Sequence, residues 1–429
     1  MERSDELKET QRIIRQQVLD TIDVDRIDTL ITNRMALLRE IIAIVQRISQ
    51  ATNRYLSKED TEKLSHAITD EILGFGPMRE LLEDETVNDI LVNGPDNIFV
   101  ERRGKLEKTK LTFLDNEQLT DIAKRLVARV GRRIDESQPL VDARLHDGSR
   151  LNVVINPIAL DGTSISIRKF SKISKTFKDL INYGTLDEKL ANLLIVAAKC
   201  RINIVISGGT GSGKTTLMNA LSQHISLDER IITLEDAAEL RLLQPHVVRL
   251  ETKMASIENT GKVTMRNLVI NALRMRPDRI IIGECRGEET FEMLQAMNTG
   301  HDGSMTTLHA NTPRDAIARL ENMVMMAGLS LPVEVIRRNI ASAVNMIIQV
   351  SRMNDGSRKI MAVSEVMGIE GEMVVIQDIF RFVTENARDQ QGNIVGKFVC
   401  YGLSQRSVLY THARLMNLEH VLKMIFEGT

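Results

Sequence analysis

The sequence holds only three cysteines, Cys200, Cys285 and Cys400, far apart and with no CxxC pair. An odd, scattered set does not build a disulfide framework, and it points to a reducing compartment. Long apolar runs are also missing. The longest, Ile41 to Val45 and Leu193 to Ala198, fall far short of the roughly 20 residues of a membrane span. The first residues, Met1-Glu2-Arg3-Ser4-Asp5-Glu6, carry charge with no apolar stretch behind it, so no secretory signal is expected and the chain reads as cytoplasmic. Nor does one sign of charge dominate. With 56 basic and 58 acidic residues the formal net charge is −2, which announces no nucleic-acid or acidic-lipid partner. Repeats and low-complexity segments are absent. What remains, 43% hydrophobic and 27% charged over 429 residues, fits a soluble globular protein of two or three domains.

Residues 1–55 read as a polar helical segment. Ile13, Ile14, Val18 and Ile22 recur at helical spacing, as do Leu37, Leu38, Ile41, Ile42 and Val45. A pair of helices packed on the rest of the chain and a partner-binding arm both fit. Ser57-Lys58-Glu59-Asp60 opens a helix that stops near Gly74-Phe75-Gly76-Pro77. Strand-like runs follow. Ile90–Val92 and Ile98–Val100 flank a turn at 93–97, Val141–Leu145 and Leu151–Ile155 flank His146-Asp147-Gly148-Ser149, and Ser164–Arg168 is a further strand. Residues 56–170 thus read as an α+β domain. The Ser/Lys-rich stretch 171–185 reads as an interdomain linker, with a hinge plausible there. From 186 to 429 short β-rich runs alternate with helical segments, the signature of a mostly parallel sheet covered by helices. Lys359 to Phe382 reads as a hairpin appendage turning at Glu370-Gly371-Glu372.

Gly208-Gly209-Thr210-Gly211-Ser212-Gly213-Lys214-Thr215-Thr216 fits the full G-x-x-x-x-G-K-[ST] pattern, between a strand and a helix. Glycines let backbone N–H groups converge on phosphates, and the helix N-terminus adds partial positive charge. Lys214 is placed to bridge the β- and γ-phosphates of ATP, and the Thr215 hydroxyl to ligate Mg²⁺.

Polar residues also follow successive strands, where an open parallel sheet gathers its ligands. Glu235 and Asp236 follow Ile231–Leu234, Glu284 follows Ile280–Gly283, and His309 follows Met305–Leu308. Together they are suited to polarise water, hold a metal shell and sense a γ-phosphate. Asp236 serves equally well as a cap for a following helix. Arginine is concentrated earlier, at Arg129, Arg132, Arg133, Arg144, Arg150 and Arg168. Spacing alone leaves open a phosphate-binding finger, a solvated basic face and a nucleic-acid groove.

These motifs resemble the secretion ATPase superfamily of type II and type IV systems, most closely its CpaF/TadA branch of Tad/Flp pilus-assembly motors. The likeness runs from about residue 56 almost to the C-terminus. Arg230–Leu240 is similar to the family's Asp box, Leu273–Gly287 to its Walker B region and Thr299–Asn311 to its His box. Asp142–Arg150 and Ile167–Phe170 are similar to its arginine-bearing region. The resemblance implies a RecA-like P-loop NTPase C-terminal domain, preceded by a smaller α+β, PAS-like domain and an N-terminal helical segment. It implies a homo-hexamer that hydrolyses ATP with Mg²⁺, with Glu235 as general base, Glu284 as Walker B carboxylate on the metal shell and His309 as γ-phosphate sensor. Arg144, Arg150 and Arg168 become phosphate contacts. Partners are expected among inner-membrane platform proteins of a pilus or secretion system, without membrane insertion and without nucleic acid. The lack of a tetracysteine cluster predicts no structural zinc, and residues 1–55 match the family only loosely.

Overall fold

A computed structural model describes residues 2–21, 33–102, 105–170, 174–253, 261–388, 392 and 394–427. The chain divides into two compact units, Met1–Ser171 and Lys172–Thr429.

The first unit opens with helices α1 (Glu2–Thr21), α2 (Arg34–Ala51) and α3 (Lys58–Ile72). Their apolar stripes meet in one cluster, with Ile14 and Val18 of α1 against Leu37, Ile41 and Val45 of α2 and Leu64 and Ile68 of α3. A buried ion pair fastens α1 to this group. Arg15 donates from Nε and Nη2 to the two oxygens of Glu71 at 2.7 and 2.6 Å, and Gln118 Nε2 donates to the same carboxylate at 2.8 Å. Residues 2–21 are therefore packed on their own unit. Ser57 caps α3 by accepting from Asp60 N, and Gly74 ends the run at φ +83°.

A short 3₁₀ turn leads into α4 (Arg79–Glu83), β1 (Val87–Asn93), β2 (Ile98–Arg102), β3 (Lys105–Lys108), α5 (Asn116–Arg129), β4 (Leu140–Arg144), β5 (Arg150–Val154) and β6 (Ser164–Arg168). The strands form one antiparallel sheet in the order β3-β2-β1-β6-β5-β4. Alternate residues, Ile90, Val92, Leu151, Val153, Ile165 and Ile167, bury against Leu119, Ile122 and Leu126 of α5.

Of the connection expected over 171–185, residues 171–173 lie outside the described residues. Beyond them stands a helix, α6 (Phe177–Asn182), with a capping box between Thr176 and Asp179. Phe177 and Leu180 are buried in the second unit's core, so this stretch is part of that unit. There follow α7 (Glu188–Lys199), β7 (Ile204–Gly208), α8 (Lys214–Ser222), β8 (Ile231–Glu235), β9 (Val247–Glu251), α9 (Met265–Ala272), β10 (Arg279–Ile282), α10 (Glu289–Asn298), β11 (Met305–Leu308), α11 (Pro313–Met326) and α12 (Val333–Ala343). The chain then runs through β12 (Met346–Arg352), β13 (Arg358–Glu370), β14 (Met373–Arg388), β15 (Ile394–Cys400), α13 (Val408–Leu415) and α14 (Glu419–Glu427).

The sheet order is β15-β14-β13-β12-β7-β11-β10-β8-β9, parallel from β12 to β9 and antiparallel beyond β12. Both faces are covered. Ile204, Ile206, Ile281 and Ile348 point into one apolar cluster, and Val205, Ile280, Ile282 and Ile347 into the other. The expected hairpin turns at Gly371, but it is no appendage. With β15 it extends the central sheet.

Candidate active site

The parallel register brings the carboxyl ends of four strands to one rim. Leu234 pairs with Ile282, Ile282 with Thr306, and Leu308 with Ser207. The residues that follow these positions are Glu235, Gly283-Glu284, His309 and Gly208, so the register collects the chemistry-bearing residues.

The phosphate loop curls between β7 and α8. Gly211 stands at φ +69° and Gly213 at φ +97°, values that favour glycine. At Gly208 the reason for glycine is space, since a Cβ would lie 2.4 Å from Val350 O and 2.6 Å from Ser212 Oγ. Lys214 is buried, and its ammonium donates to the carbonyls of Gly208 at 2.9 Å and Gly209 at 3.0 Å. Burial pushes its pKa down, opposed by the nearby Glu284 carboxylate. Thr215 and Thr216, half-buried, begin the first turn of α8. The Thr215 hydroxyl and the Glu284 carboxylate are hard oxygen donors of the type Mg²⁺ takes.

Glu235 is 3% exposed. Its Oε2 accepts from Glu239 N at 2.7 Å and Leu240 N at 2.9 Å, while Oε1 is buried with no partner among the described residues. Desolvation pushes its pKa up, against the pull of those two N–H groups. Gly283 keeps room for it, since a Cβ there would stand 3.0 Å from Glu235 Cγ.

Glu284 is the centre of a more open cluster. Arg286 donates to its oxygens at 3.1 and 3.2 Å, and His309 Nε2 lies 3.1 Å from Oε1. His309 has its pKa lowered, by desolvation first and then by the Lys214 cation, so it is neutral at pH 7. Thr307 Oγ1 donates to Gly283 O at 2.7 Å and joins the two loops. Asp236 is exposed and is followed by no helix, so it caps none. It accepts from Thr252 Oγ1 at 3.2 Å and faces Arg286 at 3.6 Å. Arg286 was not singled out by spacing, although it sits two residues beyond Glu284.

In the first unit, Arg144, Arg150, Arg168 and Asp89 are directly opposite one another across β4, β5, β6 and β1. Opposed residues share a face, so three guanidinium groups lie in one row, an arrangement that repels itself and suits an anion. Arg168 Nε donates to Asp89 Oδ1 at 3.0 Å, and Arg144 Nε donates to Gly148 O at 3.2 Å with its guanidinium 5.9 Å from the Phe170 ring centroid. Two other members of the arginine group make contacts within the unit. Arg129 donates to the carbonyls of Ile72 and Leu73 at the end of α3, and Arg133 pairs with Asp135 at 2.5 Å.

Residues 71–400 match the family model described as Type II/IV secretion system protein. The chain belongs to that family. A Mycobacterium tuberculosis protein named "Putative conjugal transfer protein" is 36% identical over 325 residues, covering 74% of this chain and 92% of its own. The type IV secretion system protein VirB11 of Brucella abortus is 34% identical over 309 residues, 66% of this chain and 85% of its own. Among solved structures, the Yersinia pseudotuberculosis ATPase DotB superposes with a TM-score of 0.50 at 16% identity, covering 83% of this chain and 85% of that one, a likeness of fold. This secretion-family chain is an ATP hydrolase. No helix among its described residues is long and apolar enough to cross a membrane.

Proposed function

We propose that this secretion-family ATPase is a hexameric, Mg²⁺-dependent motor of the CpaF/TadA branch that drives assembly or retraction of a Tad/Flp-type pilus. It works from the cytoplasm through an inner-membrane platform protein. The observation that carries the chemistry is Glu235. One oxygen is fixed by two backbone N–H groups, and the other is buried, without a partner among the described residues, and on the rim that holds the phosphate loop. A carboxylate so held, with its pKa raised by burial, is poised as a general base.

Glu235 takes a proton from the water that attacks the γ-phosphorus. The bond from that phosphorus to the bridging oxygen breaks, and its electron pair leaves with ADP. Lys214 exchanges the Gly208 and Gly209 carbonyls for phosphate oxygens and offsets their charge. When bound, Mg²⁺ supplies charge neutralisation on the phosphates, with Thr215 and Glu284 as its protein-side donors. His309, whose Nε2 lies 3.1 Å from Glu284 Oε1, acts as the γ-phosphate sensor. Arg144, Arg150 and Arg168 act as phosphate contacts, and the anion-suited row they form supports that role.

A second reading, an export motor that moves DNA or protein, is favoured by the identity to the conjugal transfer protein and to VirB11. A chromosomal deletion scored for surface filaments and for substrate transfer separates the two. The hydrolysis itself is tested by Lys214→Ala. Phosphate release falling to background supports the assignment, and unchanged release defeats it.

A further inference from the structure

The phosphate loop has a neighbour that its motif does not contain. β12 runs beside β7, with Val350 paired to Gly208, and β13 begins at Arg358, six residues after Arg352 ends β12. The turn between these strands is tied throughout. Met353 N donates to Ser357 O at 2.8 Å, Gly356 N to Met353 O at 2.9 Å, and Ser357 N to Asp355 Oδ1 at 2.8 Å. The other oxygen of Asp355 accepts from Ile394 N at 2.6 Å, so the turn is braced from the start of β15.

From this braced position Arg358 Nε donates to the carbonyl of Gly211 at 2.9 Å. Its Cδ lies 3.2 Å from the point where a Cβ on Gly213 would stand, so the side chain lies along the loop. The C=O and N–H of one trans peptide unit point in opposite directions. A Gly211 carbonyl turned onto Arg358 therefore turns the Ser212 N–H the opposite way, where it donates to Gly209 O at 3.4 Å. Glycine peptides flip at small cost, so a loop of this composition needs an outside contact to hold one orientation.

We infer that Arg358 is a positioning residue for the phosphate loop: it holds the Gly211–Ser212 peptide in the orientation whose N–H donates to Gly209 O and passes to a phosphate oxygen when nucleotide binds. This rests on the reading that the loop binds ATP, and it places Arg358 on the outside of the loop, away from the reacting atoms. Preorganisation of this kind lowers the cost of binding and leaves the chemical step alone.

The test is steady-state phosphate release by the full chain over a series of Mg-ATP concentrations, with Tm measured on the same preparations. For Arg358→Ala the KM for ATP rises about tenfold, the worth of one charge-assisted hydrogen bond, while kcat stays within about twofold. Arg358→Lys recovers most of that KM, and Asp355→Ala gives a smaller rise in the same direction. An unchanged KM in Arg358→Ala at unchanged Tm overturns the inference. So does a fall in kcat at unchanged KM, which would put the guanidinium on the reacting phosphate. If Arg358→Ala does not fold, unchanged KM in both Arg358→Lys and Asp355→Ala overturns it equally. Wild-type protein that fails to bind Mg-ATP defeats the ATPase reading instead. Wild-type binding that Lys214→Ala abolishes and Arg358→Ala leaves intact defeats only this inference.

Discussion

The two ends of the parallel sheet treat buried charge in opposite ways. At the amino end, Arg279 is fully buried and each of its three side-chain nitrogens has a partner. Its Nε and Nη2 donate to Glu229 at 2.6 and 2.9 Å, Nη2 to Ala198 O at 2.8 Å and Nη1 to Gly303 O at 3.3 Å. Gly303 is glycine to admit this arginine, since a Cβ there would stand 2.5 Å from Nη1. Asn203, beside it, accepts from Gly303 N and Ser304 N and donates to Ala343 O. At the carboxyl end, Glu235 keeps a buried oxygen without a partner among the described residues, Lys214 rests on two carbonyls, and Glu284 is held by a half-exposed arginine and histidine. A satisfied buried charge holds a fold together. One left incomplete costs stability and is retained where a ligand or a water completes it. The same sheet thus has an end whose buried charges are satisfied and an end, the proposed reactive one, whose buried charges are not.

The largest effect that sharpens this contrast is expected from Arg279→Met, which takes the two hydrogen bonds of Arg279 from the buried Glu229 and leaves it the ion pair with Arg201 at 3.2 Å. It should lower unfolding free energy by about 3–5 kcal/mol in a urea titration. Glu284→Gln, at the other end, should leave the urea midpoint near that of wild type while phosphate release drops by about 10²–10³-fold with nucleotide binding retained. A denaturation midpoint that falls equally in both would erase the distinction.

Much of the reactive end was legible in the sequence, because its signals are local. The glycines, lysine and threonine of the phosphate loop are contiguous, and Glu235, Glu284 and His309 each follow a short apolar run whose end marks the rim. The structural end was not legible. Arg279 and Gly303 stood inside the Walker B and His-box segments, where they read as motif residues, and only packing shows that they serve each other. Arg358 lies 147 residues from the carbonyl it holds, so no spacing rule reaches it. β9 is hard to read because it is a half-exposed edge strand whose apolar alternation, Val248 and Leu250, is only two residues long. α6 escaped because two buried side chains, Phe177 and Leu180, are too few to show a period. In the first unit, α1 was legible as a helix, while its attachment through Arg15 and Glu71 depends on residues 56 apart.

A pH series probes the contrast at smaller amplitude. Burial raises the folded-state pKa of Glu235 above its ordinary 4.5, so the folded chain holds that proton more tightly than the unfolded chain. The stability this group contributes is complete below 4.5 and is lost as pH rises through the raised value. Glutamine mimics the protonated acid, so the Tm of Glu235→Gln should exceed that of wild type at pH 8 and converge with it at pH 4. The smallest effect is expected from Gly283→Ala, whose new methyl presses on Glu235 Cγ. It should reduce kcat by about tenfold or less with KM for ATP unchanged, a shift in positioning without a loss of binding.

One preparation of Glu235→Gln tests the role of Glu235 most directly, with phosphate release and thermal unfolding measured together at pH 8. The predicted result is turnover reduced by about 10²–10⁴-fold, Mg-ATP still bound, and a Tm at or above that of wild type. Turnover that survives the substitution, or a Tm that falls as it does for a satisfied structural charge, would contradict it.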